Sequence, residues 1–171
     1  MMGNQDTSYT KDEYSPPTYK PKILIIGLGN TLLQDEGIGV HIIQKLQTMD
    51  IPDNIELVDG GTAGLDLMEY MNKGIDKVII IDAVKGGRIP GTTFRLSAKE
   101  IMTTTKHIYS MHQAEVAEAI KIIDSFGRKP KEIVIIGVVP KETEWSLTLS
   151  PELQNKIPYI IRVIFDEIEE K

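Results

Sequence analysis

The chain has 171 residues, 41% of them hydrophobic, which is enough for one domain with a core of its own. It contains no cysteine, so disulfides, a thiol nucleophile and thiolate metal sites are excluded. A net charge of -6 argues against a nucleic-acid partner, and no apolar run approaches the ~20 residues of a membrane span.

Residues 1–20 are polar and lack the apolar side chains that offset ordering entropy. They also lack the apolar stretch of a secretory signal, so a flexible tail and a cytoplasmic protein are expected. Residues 21–171 read as one domain. Lys22 to Gly27 is a continuous apolar strand, as expected when both faces are buried. Gly37 to Thr48 places Ile38, Ile42, Ile43 and Leu46 at helical spacing. Ile55 to Val58 is a short strand. Thr62 can cap a helix carrying Leu65, Leu67, Met68 and Met71 and ending at Gly74.

Lys77 to Asp82, KVIIID, is a second buried strand. A Pro90-Gly91 turn leads to Thr92 to Leu96, an alternating strand that can run antiparallel. Ser110-Met111-His112-Gln113 has the capping-box pattern. The helix it opens turns Val116, Ala119, Ile120 and Ile123 inward and stops near Gly127. Glu132 to Val138 is a third buried strand. Ser150-Pro151 opens the last helix, which Pro158 should kink. Glu167 to Lys171 reads as a solvated helix end. The alternation predicts a three-layer α/β domain with a mostly parallel sheet.

In such sheets the functional crevice lies beyond the carboxyl ends of the strands. The first strand ends in GLGNTLLQDEG, residues 27–37. It fails the dinucleotide fingerprint at Leu32, and the adjacent acids Asp35 and Glu36 would repel a phosphate. Acids in a first helical turn also simply suit the helix dipole. Asp82 closes KVIIID, where an aspartate can equally cap a turn. His112 starts a helix that can begin at the same rim. Glu36, Asp82 and His112 together make a donor set of two carboxylates and an imidazole, suited to a hard or borderline metal ion with open positions. Asp59-Gly60-Gly61-Thr62-Ala63-Gly64 ends the second strand. Its glycines permit positive φ and the approach of another chain, although a tight turn needs only one. His41 lies off the apolar stripe and reads as solvated; His107 sits in a polar link. Trp145, the only tryptophan, fits a core lid or a partner contact equally.

Taken in order, GLGNTLLQDEGIG, DGGTAG, IIIDAV, PGT and SMHQ resemble the NiFe-hydrogenase maturation endopeptidases. The resemblance spans about residues 22–165. It implies a twisted five-stranded sheet flanked by helices and a cytoplasmic protease, expected as a monomer. This protease would trim the C-terminal extension of a hydrogenase large-subunit precursor after nickel insertion. The family's metal-binding positions fall on Glu36, Asp82 and His112. The nickel would come with the precursor, and no organic cofactor is implied. Asp35 matches a further characteristic acid of the loop, either as general base or as support behind the ligands. Gly60, Gly61, Thr62, Ala63 and Gly64 would hold the substrate strand. Thr148 stands where many relatives have glycine. GLGN alone also fits peptidyl-tRNA hydrolases, whose loop continues differently. A non-catalytic chaperone that senses metal loading is a further reading.

Overall fold

The computed structural model describes residues 19–62, 74–85, 89–103, 109–110, 112–126 and 130–170. The chain forms β1 (Ile23–Leu28), α1 (Ile38–Leu46), β2 (Ile55–Gly61), β3 (Lys77–Lys85) and β4 (Thr93–Ser97). Then follow α2 (Ala98–Thr103), β5 (Tyr109–Ser110), α3 (Gln113–Phe126), β6 (Glu132–Val138) and α4 (Pro151–Glu169). The main sheet has five strands in the order β2-β1-β3-β6-β4. β2, β1, β3 and β6 are parallel, and β4 runs antiparallel to β6 at one edge. The two-residue β5 pairs antiparallel with the far end of β3.

Strand side chains alternate between faces. Ile23, Ile25, Ile79, Ile81, Val134 and Ile136 point to one core, covered by α1 and α4. Leu24, Ile26, Val78, Ile80, Ile133 and Ile135 point to the other, covered by α3 through Val116, Ala119 and Ile120. Each such fully buried aliphatic side chain contributes roughly 1.5–3 kcal/mol, so both layers are held chiefly by this packing.

Several boundaries differ from expectation. β2 continues through Asp59 and Gly60 to Gly61, with a register shift opposite Gly27 and Leu28. Asp82 does not end its strand. β3 runs on to Lys85, because β6 and then β5 give it partners beyond Ile81, the last residue paired with β1. Helix α3 starts at Gln113, and the Val116 amide donates to the His112 carbonyl, so His112 rather than Ser110 occupies the cap position. Ser110 is engaged in β5 instead. The short α2 was not expected. Its signal is a capping box in Ser97-Ala98-Lys99-Glu100, where the Ser97 amide and hydroxyl donate to the Glu100 carboxylate. Helix α4 runs unbroken through Pro158.

Glu167 is not solvated. It is 4% exposed and bonded to Lys77 (2.7 Å) and to Arg95 (2.6 Å), tying α4 to β3 and β4 at the sheet's amino end. Tyr19, assigned to the tail, donates to Asp76, and the Lys22 amide joins that carboxylate at 2.9 Å. Residues 1–18, the expected helix over 65–71, His107 and Gly127 lie outside the described residues.

Candidate functional site at the carboxyl rim of the sheet

The loop after β1 is folded tightly on itself. Gly29 has φ +138, and a side chain there would come within 2.0 Å of the Glu36 carbonyl oxygen. Gly39 lies so close to the strands that a Cβ would approach the carbonyl oxygens of Leu28 and Ile81 to 2.3 Å. Glycine is therefore required where α1 meets the sheet, and that contact brings Glu36 to the rim. A 3-10 turn over Gln34–Gly37 precedes α1.

Asp35 is fully buried and both its oxygens are occupied. Oδ1 accepts from the Ser150 amide (2.7 Å). Oδ2 accepts from the Lys141 amide (2.9 Å), the Glu142 amide (3.1 Å) and the Ser150 hydroxyl (2.8 Å). Ser150 also caps α4, accepting from the Leu153 amide. One carboxylate thus fastens the β1–α1 loop, the segment after β6 and the start of α4 together. The cap was legible in Ser150-Pro151; its partner, 115 residues earlier, was not.

Of the expected metal ligands, Asp82 is fully buried, His112 is 7% exposed and Glu36 is 8% exposed. Asp82 and His112 meet directly. His112 Nδ1 lies 3.1 Å from Asp82 Oδ1, and the His112 amide donates to Oδ2 at 3.3 Å. The Ala83 amide fixes Oδ1 further at 2.8 Å. The hydrogen bond to Asp82 raises the His112 pKa above 6.5 against the opposing effect of burial, and the charges of Asp82, Glu115 and Glu36 add to the rise. Glu36 therefore acts on His112 through its charge. Its carboxylate accepts no hydrogen bond among the described residues. The three do not close into a cage: among the described residues no group of three histidine, aspartate or glutamate side chains is arranged to hold a metal ion.

Gly60 and Gly61 divide the labour expected of them. A side chain at Gly60 would strike Leu28 and Ile26 at 2.7 and 2.9 Å, so its smallness serves packing within the sheet. Gly61 has φ +49 and open space beside it, with its amide held by Asp59 Oδ1 at 3.0 Å. Thr62 is exposed next to it, while Ala63 and Gly64 lie outside the described residues. His41 is half-buried rather than solvated. Its Nε2 is buried without a hydrogen-bond partner among the described residues, and burial lowers its pKa. Trp145 is 81% exposed, which removes the core-lid reading. No helix among the described residues is long and apolar enough to cross a membrane.

Comparison with known proteins agrees with this fold. Residues 40–167 match the family described as HycI, hydrogenase maturation protease. The hydrogenase 2 maturation protease of Escherichia coli K12 is 34% identical over 151 residues, covering 87% of this chain and 92% of its own length. The hydrogenase expression/formation protein HupD of Bradyrhizobium diazoefficiens is 36% identical over 140 residues, covering 80% and 72%. The solved structure of the hydrogenase maturating endopeptidase HybD from E. coli superposes with a TM-score of 0.76 at 34% identity, covering 86% of this chain and 91% of that one. The chain belongs to the hydrogenase maturation protease family.

Proposed function

We propose that this chain is the endopeptidase that removes the C-terminal extension of a NiFe-hydrogenase large-subunit precursor, in the cytoplasm and after nickel insertion, with the substrate's nickel read by Glu36, Asp82 and His112. The observation that carries the proposal is the Asp82–His112 contact at the end of the parallel sheet, with the Glu36 carboxylate on the adjoining loop. The donor set suits nickel, since imidazole and carboxylate are both ligands for borderline divalent ions.

Held by Glu36, Asp82 and His112, the precursor's nickel would supply Lewis acidity toward the scissile carbonyl or a water. The chain's own groups do the positioning. Asp82 Oδ1 holds the His112 ring and favours the proton on Nδ1, which directs Nε2 to the ligand role. Glu36 contributes a carboxylate already partly removed from water. Asp35 serves as support: a buried carboxylate with four donors on it holds the Glu36 loop in place. The substrate strand passes beside the open face of Gly61, along Gly60 to Gly64.

The test is processing of nickel-loaded precursor by Glu36→Gln, Asp82→Asn and His112→Ala. Each variant should lose at least about a hundredfold in rate, the scale expected when ligand-orienting contacts fail, while retaining its fold. Normal cleavage by Asp82→Asn and His112→Ala together contradicts the assignment. Release of an intact, unshortened precursor by the wild type would make the protein a chaperone instead.

A further inference from the structure

Leu33 and Ser146 form an isolated parallel bridge, with the Ser146 amide donating to the Leu32 carbonyl (3.1 Å) and the Gln34 amide to the Ser146 carbonyl (3.0 Å). The neighbours of this bridged pair are Leu32, 48% exposed, Trp145, 81% exposed, and Leu147, 69% exposed. Three large apolar side chains are thus held in solvent on two loops pinned together by backbone bonds and by Asp35. We infer that the Leu32–Trp145–Leu147 ridge is the docking surface for the folded body of the precursor, gripping an apolar patch next to the C-terminal extension; this rests on the function proposed above.

Position selects this occupant. Leu32 is four residues from Glu36, so the ridge and the rim are separated by at most ~14 Å of chain. A substrate with its cleavage point at Asp82 and His112 must have its folded body nearby. Rigidity matters as well. The Asp35 bonds and the bridge fix both loops before binding, so little ordering cost remains. An exposed tryptophan with two exposed leucines beside it on fixed loops has the apolar, aromatic centre of a protein interface. The precursor patch that fits is apolar.

Trp145 is the only tryptophan, so chain labelled with 5-fluorotryptophan gives a single fluorine resonance. It is titrated with unlabelled, nickel-loaded large-subunit precursor from the same organism, each precursor in turn, and processing kinetics are run in parallel. The resonance should shift or broaden on binding. Trp145→Ala with Leu147→Ser should raise KM about tenfold and leave kcat within about twofold, with Trp145→Phe restoring most of the loss. Both changed side chains are exposed, so the fold is kept. A resonance that stays put while the wild type processes the same precursor overturns the ridge, as does an unchanged KM in the double variant. A shifted resonance with no loss of precursor mass keeps the ridge and removes the protease reading. Neither shift nor mass loss with any precursor overturns both.

Discussion

Asp82 Oδ1 is shared between the His112 ring and the Ala83 amide, so the imidazole is oriented from the strand and not from its own helix. Replacing Asp82 by asparagine removes the leading cause of the raised His112 pKa. In an NMR titration of the ring protons, His112 should titrate above 6.5 in the wild type and clearly lower in Asp82→Asn. An unchanged titration would mean that the contact carries no charge. Asp35→Asn keeps the shape of its side chain but turns an NH2 group toward backbone or hydroxyl donors. Leaving buried donors unsatisfied should cost roughly 3 kcal/mol and lower Tm by roughly 6–12 °C. A Tm within about 2 °C of wild type would deny Asp35 its fastening role. The sequence offered Glu36, Asp82 and His112 as a set by reading each at a strand end or helix start of one rim; in the structure Asp82 lies inside β3, where it meets His112. The occupation of Asp35 was hidden. It depends on amides of Lys141, Glu142 and Ser150, and no side-chain pattern announces which backbone donors will face a carboxylate.

At the scale of elements, α4 is bound to the sheet by charge at one end and by apolar packing along its length. Burial of Glu167 pushes its pKa up, but hydrogen bonds from Arg95 and Lys77 outweigh this and hold it below 4.5. A carboxylate depressed on folding adds stability that is present above its unfolded value and lost as pH falls through the folded one. Melting curves of the wild type should therefore drop steeply below about pH 4.5, whereas Glu167→Gln should be flatter there and roughly 3 kcal/mol less stable at pH 7. Parallel pH profiles for the two proteins would contradict this. The strands β1, β3 and β6 were legible because burial on both faces writes a continuous apolar run. The extension of β3 past Asp82 was not, since its last pairs come from β6 and from the two-residue β5. The buried role of Glu167 escaped for a related reason: a terminal run of acids looks solvated until Lys77 and Arg95, distant in sequence, are placed beneath it.

For the whole molecule, the sheet's two ends are put to different uses. The amino end is closed by the Lys77, Arg95, Glu132 and Glu167 network, and toward the carboxyl end Asp82 meets His112, with the charge of Glu36 acting on the same ring. Membership of the hydrogenase maturation protease family sets aside the peptidyl-tRNA hydrolase reading that GLGN alone allowed. The central claim is that the rim cuts only a substrate that brings nickel to it. The most direct measurement is the intact mass of a large-subunit precursor after incubation with this protein, nickel-loaded and nickel-free, with Glu36→Gln as control. The account predicts loss of a C-terminal peptide from the loaded precursor alone, abolished by Glu36→Gln. Equal shortening of the nickel-free precursor, or full cleavage by Glu36→Gln, would contradict it.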